Sequence, residues 1–87
     1  MHVIQIIGLA AGHPHPYDGQ YVVDYDPTPL ARGERPILVT TNDIGHARQF
    51  DNPLLAFRFW KMDSGATRDD GKPDRPLTAF TVEITKL

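Results

Sequence analysis

Short runs of apolar and polar residues predict four strands along this chain. Residues 2–8 (HVIQIIG) are rich in β-branched side chains with one polar interruption, which is typical of a central strand buried on both faces. Residues 19–25 and 77–85 alternate with a period of two, as half-buried strands do, and residues 37–41 (ILVTT) predict a further short strand.

The period of two also predicts which side chains share a face of the sheet. In the second strand it groups Tyr21, Val23 and Tyr25. In the last strand it groups Phe80, Val82 and Ile84, so this strand is expected to bury one face and to expose the other.

Residues 51–62 (DNPLLAFRFWKM) carry the clearest helical pattern. Asp51 or Asn52 can cap the helix, and Pro53 suits the first helical position. The apolar stripe comprises Leu54, Ala56, Phe57, Trp60 and Met62. Positions 57 and 59 lie about 200° apart around a helix, so their two rings cannot both face the core. The pattern favours Phe59 as the exposed ring.

A second, shorter helix of two turns is predicted within residues 41–50, where good capping residues precede apolar residues at helical spacing. The element order is then β-β-β-α-α-β. Residues 1–87 are expected to form a single α+β domain, a small and mostly antiparallel four-stranded sheet with the main helix and the short helical turn packed on one face. The first and last strands are the most apolar and are expected to be neighbours.

Composition narrows the function classes. The 87 residues include no cysteine, which excludes disulfides, thiolate metal sites and cysteine nucleophiles. The net charge of −2 is spread along the chain without a basic stripe, so we expect no direct binding to nucleic acid. The apolar N-terminal run is too short to cross a bilayer and lacks a basic flank, so we expect a cytoplasmic protein with no membrane contact.

The stretch AGHPHPYDG, residues 11–19, is the first candidate for chemistry. His13 and His15 would face the same side of an extended backbone and could ligate a metal ion. A closed metal site needs at least one more ligand, and Pro14 and Pro16 stiffen the segment around His15. We therefore predict a rigid contact turn that holds no metal and no cofactor.

Signals for catalysis are weak. His46 could act as an acid–base group with Asp43 or Asp51, but the only serine, Ser64, lacks the strand-turn-helix setting of an activated nucleophile. The N-terminal glycines form no phosphate-binding loop, because no helix follows them. We expect a protein that is not an enzyme, with a metal- or histidine-dependent enzyme as the third alternative.

Charged residues of both signs cluster in the long loop at residues 63–76, and loops of this length in small domains are often functional. Mixed charges suit directional contacts to a protein surface. The full set of candidate partner-binding residues is Arg68, Asp69, Asp70, Lys72, Asp74, Arg75, His13, His15, Tyr17 and Phe59.

Several short patterns together resemble a group of small proteins that phages and prophages of proteobacteria and actinobacteria encode. These are a Gly-Gln-Tyr strand, a Thr-x-Asp segment followed by Ala and Phe, a Trp in the main helix, and the ending Asp-Gly-Lys-Pro-x-Arg-Pro-Leu-Thr-Ala. The residues that carry the resemblance are Gly19, Gln20, Tyr21, Thr41, Asp43, Ala47, Phe50, Trp60, Asp70, Gly71, Lys72, Pro73, Arg75, Pro76, Leu77, Thr78 and Ala79.

The resemblance covers most of the chain and implies a mobile-element protein. Small phage proteins of this kind often inhibit bacterial defence, as anti-CRISPR proteins do, by binding a host protein or ribonucleoprotein effector complex without catalysis. A charge near neutrality favours steric occlusion over mimicry of DNA. A small structural or accessory phage protein that self-associates through an exposed strand edge, as a homodimer, is the alternative.

Overall fold

The computed structural model describes residues 1–62, 64–65, 70–72 and 75–87. Its main elements, in chain order, are β1 (His2–Leu9), β2 (Tyr21–Asp26), β3 (Ile37–Thr41), the helix α1 (Pro53–Trp60) and β4 (Phe80–Lys86). The sheet has the order β3-β2-β1-β4, and each pair of neighbours is antiparallel. The predicted α+β fold is confirmed, and so is the position of β1 in the sheet interior beside β4.

The predicted two-turn helix within residues 41–50 is wrong. Only the 3-10 turn Ile44–His46 forms there, and the Asp43 carboxylate accepts a hydrogen bond of 2.8 Å from the Gly45 N–H at its start. Ala47 returns to an extended conformation. The reason is tertiary, because the next residues hydrogen-bond to the sheet and cannot also continue a helix.

Residues 47–50 fill a gap between β1 and β2. The Arg48 N–H donates to the Val22 carbonyl over 3.0 Å, and Phe50 exchanges two backbone hydrogen bonds of 2.8 Å with His2. These bonds hold the segment in place, with Ala47 and Phe50 buried. They also fix the point from which α1 begins three residues later.

The predicted alternation of β2 fails in part. Val22 and Tyr25 are buried, whereas Tyr21 and Val23 are only half-buried. The register of β2 against β3 shifts between Val22 and Asp24, which is the signature of a β-bulge. One extra residue at this point changes which side chains face the core, so a strict period of two no longer applies.

The core lies between one face of the sheet and α1. Its buried members are Ile4, Ile6, Val22, Tyr25, Phe50, Ala56, Phe59 and Leu77. The predicted face of β4 is confirmed, because Phe80, Val82 and Ile84 pack against this cluster while Thr81 and Glu83 are exposed.

The last strand begins later than predicted. Residues 76–79 form the 3-10 turn Pro76–Ala79, with Pro76 at its first position, and β4 starts at Phe80. The Trp60 indole N–H donates to the Leu77 carbonyl (2.9 Å) and to the Phe80 carbonyl (3.2 Å). These two bonds attach the C-terminal end of α1 to the start of β4.

Helix α1 begins as predicted but turns a different ring inward. The Asn52 side chain accepts a hydrogen bond of 3.0 Å from the Leu55 N–H, and Pro53 occupies the first turn. Phe59 is buried, with 9% of its surface exposed, and Phe57 is 41% exposed, so the prediction that Phe59 is the outer ring is wrong. The small side chain of Ala56, fully buried, lets the helix approach the sheet, and Phe59 lies one turn further along that contact face.

A charged turn ends β2. The Asp26 carboxylate accepts hydrogen bonds from the Thr28 hydroxyl (2.7 Å) and the Thr28 N–H (3.0 Å). These bonds lower the pKa of Asp26 below its ordinary value of 3.8, with a further contribution from the positive charge of Arg32.

The Asp26→Asn variant is expected to be less stable than the natural chain above pH 3.8, because a carboxyl whose pKa is lowered by folding stabilises the folded state when it is ionised. This advantage should disappear as the pH falls through the lowered pKa of Asp26. Urea unfolding of both chains over a pH series measures it. A stability difference that persists at the lowest pH would contradict this explanation.

Candidate partner-binding surface

The histidine-containing stretch forms a closed turn. The Asp18 N–H donates to the His15 carbonyl over 3.0 Å, and the His15 N–H donates to the Asp18 carboxylate over 3.1 Å. Gly19 adopts a φ of 81°, and its N–H donates to the Ile6 carbonyl over 2.6 Å. Such reciprocal bonding is typical of aspartate in turns.

The His15 ring is part of this turn. Its Nδ1 atom accepts a hydrogen bond of 3.1 Å from the Tyr17 N–H. The ring centroid lies 4.9 Å from that of Tyr17 and 5.2 Å from that of Phe80, the second contact being edge-to-face. His15 and Tyr17 are half-buried, whereas His13 is exposed. The turn thus separates the two histidines, one packed against β4 and one in solvent.

The His15→Ala variant is expected to lower the free energy of unfolding by about 1–2 kcal/mol, since it removes both the hydrogen-bond acceptor and the ring contacts. The matched control His13→Ala should change it by less than about 0.5 kcal/mol, because that side chain is exposed. Chemical denaturation measures both. Equal effects of the two substitutions would show that the turn is not held by His15.

The structure gives the positions of the residues that suggested metal or acid–base chemistry. Across the described ranges, no three His, Cys, Asp or Glu side chains lie close enough to hold a metal ion. His46 Nδ1 lies 3.5 Å from the Asp43 carboxylate, and both side chains are largely exposed. Ser64 is buried.

The predicted charged loop is only partly described. Arg68, Asp69 and Asp74 lie outside the described residues. Asp70, Lys72 and Arg75 are exposed. The Lys72 N–H donates to the Asp70 carboxylate over 3.0 Å, and the Arg75 carbonyl accepts from the Thr78 hydroxyl over 2.6 Å. The first contact lies within the middle of the loop, and the second lies at its C-terminal end.

Helix α1 carries an exposed apolar surface that the sequence prediction missed. Its members, called here the helix patch, are Leu54 (55% exposed), Leu55 (41%) and Phe57 (41%). The Lys61 ammonium lies 4.9 Å from the centre of the Phe57 ring, as in a cation–π contact. The available signal was the nearly unbroken apolar run PLLAFRFW, because a helix that is apolar all round while resting on one side of a sheet must expose part of that surface.

A groove lies between α1 and β4, with a volume of about 430 Å³. Its apolar lining comes from Phe57, Trp60, Phe80, Val82 and Ile84. A second groove of about 330 Å³ includes Tyr17, Tyr25, Leu38 and Phe80 in its lining. Phe57 belongs both to the helix patch and to the first groove, called here the β4 groove, so the two features form one continuous apolar surface.

Comparison with known proteins found no match to this chain among protein-family models, curated proteins or solved structures. Among the described residues, no helix is long and apolar enough to span a membrane. A function is therefore inferred from the surface features of the chain itself.

Proposed function

We propose that this chain is a non-catalytic phage or mobile-element protein that binds a host protein complex and blocks it by steric occlusion, in the manner of an anti-CRISPR inhibitor. We place the contact on the helix patch and extend it to the β4 groove. The host cytoplasm is the compartment in which such a complex would be met.

The exposure of the helix patch is the observation that carries the proposal. Leu54 and Phe57 lie one turn apart on α1, and each leaves at least two fifths of its surface in solvent. Aromatic and aliphatic side chains at the centre of an interface supply most of the binding free energy in protein complexes. Arg58 and Lys61, both exposed, provide polar contacts around this apolar centre.

Occlusion agrees with the charge of the chain better than mimicry of nucleic acid does. The net charge is only −2, and the exposed Arg32–Glu34 and Arg48–Asp24 pairs place both signs of charge on the surface. A protein that replaces DNA on its receptor needs a strong negative field over the contact surface. The apolar helix patch instead favours a protein surface as the target.

The test measures whether the chain inhibits CRISPR–Cas defence in bacterial cells. The chain is expressed in bacterial strains that each carry one CRISPR–Cas type, and plating of a targeted phage is measured. We expect plating to recover in at least one strain, and we expect the purified effector complex of that strain to bind the purified chain. Failure of plating to recover in every strain, together with no binding to any purified effector, would refute the proposed function.

Surface variants locate the contact in the same assay. The Leu54→Asp/Phe57→Asp double variant should lose both inhibition and binding. The matched control is Ile37→Asp/Val39→Asp, since these two β3 side chains are exposed to similar extents, 53% and 45%. Circular dichroism confirms that both variants fold. Loss of inhibition in the control and not in the helix-patch variant would contradict our placement of the contact.

Self-association is the second candidate function, and the open sheet favours it. β3 and β4 are the terminal strands of the described sheet, and terminal strands can pair with another chain. Light scattering over a range of protein concentrations tests this alternative. A strictly monomeric chain would exclude it, and a stable homodimer without inhibition would favour it over the first candidate.

A further inference from the structure

The backbone of β4 has one side without a neighbouring strand. β4 pairs with β1 through His2↔Lys86, Ile4↔Ile84 and Ile6↔Val82. On β1, His2 and Ile6 direct their backbone groups away from β4, as the His2–Phe50 bonds and the bond of 2.8 Å from the Ile6 N–H to the Gln20 carbonyl show.

In an antiparallel ladder, residues opposite each other point their backbone groups either toward each other or both away. The N–H and C=O groups of Val82, Ile84 and Lys86 therefore point away from β1. These groups are called here the open edge. In the described part of the chain, β1 is the only strand that pairs with β4.

The open edge runs along the β4 groove. Val82 and Ile84 contribute side chains to the groove, opposite Phe57 and Trp60 of α1. A strand added to this edge would direct every second side chain into the groove, because side chains in a strand alternate between the two faces. Backbone hydrogen bonds and side-chain burial would then act on the same ligand, as in strand-addition complexes.

Two exposed cations adjoin residues that line the groove, although neither is itself part of the lining. Lys61 contacts Phe57 near the C-terminal end of α1, where Trp60 bonds to the start of β4. Lys86 continues the row of Val82 and Ile84 at the other end of β4. Glu83 lies on the opposite face of the sheet from this row, and no described carboxylate lines the groove. These two positive charges thus complement acidic side chains on a ligand that fills the groove.

We propose that the open edge of β4 receives an extended apolar segment of the partner protein, with an acidic side chain at each end, as an additional antiparallel strand. This inference rests on the proposed function and specifies how its partner is held. The apolar side chains of the segment would fill the groove between α1 and β4. Its acidic side chains would lie beside Lys61 and Lys86.

A second copy of this chain is a poorer occupant of the edge. If β4 pairs with its own copy about Ile84, the copy's Lys86 lies opposite Val82 and places a cation against the apolar lining of the groove. A pairing centred one residue earlier puts the two Glu83 side chains directly opposite each other. Like charges that face each other across strands are unfavourable.

The other terminal strand offers less to a ligand. β3 has five residues and follows Pro36, and proline beside a terminal strand limits pairing. β4 has seven residues without proline. Only β4 combines an open edge with the groove beside α1.

The test uses a synthetic peptide and the isolated full-length chain. The probe is an end-blocked heptapeptide with aspartate at both ends, valine and isoleucine at its third and fifth positions, and threonine at the other three. Its binding is followed by backbone amide resonances and by the fluorescence of Trp60, the only tryptophan, which lines the groove. We expect the resonance changes to concentrate in residues 80–87 and α1. A peptide with lysine in place of both aspartates should bind about tenfold more weakly.

Charge reversal on the protein supplies the decisive control. The Lys61→Glu/Lys86→Glu variant should bind the lysine-ended peptide more tightly than the aspartate-ended one. Arg32→Glu, which reverses an exposed cation in the turn that follows β2, should keep the original preference. The proposal would be overturned by an unchanged preference in the double variant, by resonance changes away from β4, or by changes at β4 that depend on protein concentration and not on peptide.

These outcomes are separate from those of the inhibition assay. A chain that blocks an effector complex but ignores the peptides would overturn strand addition and leave the proposed function intact. A chain that binds the aspartate-ended peptide but blocks no effector would support the edge site and count against the inhibitor role.

Discussion

Replacing Phe59 by alanine is expected to lower the free energy of unfolding by about 3–5 kcal/mol, the cost of truncating a buried aromatic ring. The Phe59 ring centroid lies 5.2 Å from that of Phe50 and 6.5 Å from that of Tyr25, and the Arg48 guanidinium lies 4.9 Å above the ring. Phe59 therefore joins α1 both to β2 and to the segment that fills the gap in the sheet. Small domains have few kcal/mol of net stability, so the variant should be partly unfolded at room temperature.

The matched control is Phe57→Ala, the same substitution two residues earlier on the same helix. The Phe57 side chain is 41% exposed, so its removal should cost about 1 kcal/mol or less. Urea unfolding followed by circular dichroism measures both variants. A larger loss for Phe57→Ala than for Phe59→Ala would mean that α1 is rotated from the orientation described.

The second large effect is expected for Ile6→Ala, at about 2–5 kcal/mol. Ile6 is fully buried in the core cluster, on the strand that lies between β2 and β4. Its N–H also bonds to the Gln20 carbonyl, one of the backbone bonds that hold β1 beside β2. A cavity at this position would loosen packing on both sides of the central strand.

Ile7→Ala is the control for this substitution. The register of β1 against β4 shifts between Ile6 and Gly8, which places Ile7 at a bulge, and its side chain is 48% exposed. We expect a change of less than about 1 kcal/mol, measured by the same unfolding assay. Equal losses for Ile6 and Ile7 would contradict the exposed position of the Ile7 side chain.

Local patterns predicted most of the fold. Alternation in β4, the β-branched run of β1 and the Asn52-Pro53 start of α1 all act through neighbouring residues, and each marks an element that the structure contains. The burial predicted for both faces of β1 is wrong at Ile7, which is 48% exposed. The errors arise where distant segments meet. The segment at residues 47–50 pairs with β1 and β2, and a bulge at Val23 shifts the register of β2. Neither feature is indicated by the pattern of neighbouring residues in the sequence.

The orientation of α1 is another feature that local sequence patterns do not determine. Helical periodicity shows that Phe57 and Phe59 cannot both face the core. Which of the two rings is buried depends on where the helix contacts the sheet. Ala56 marks that contact, because a small buried residue permits close approach of the backbone. The helix patch follows from this orientation: the sequence predicted Phe59 as the exposed ring, whereas the structure exposes Phe57.

The contact proposed for a host protein runs along α1 and the open edge of β4. Hydrogen–deuterium exchange tests it most directly, measured on the chain alone and in complex with the effector that it inhibits. We predict slower exchange on binding in residues 54–61 and 80–87, with little change in β3, Ile37–Thr41. Slower exchange confined to β3 or to the histidine turn at residues 11–19, with α1 and β4 unchanged, would contradict the proposed contact.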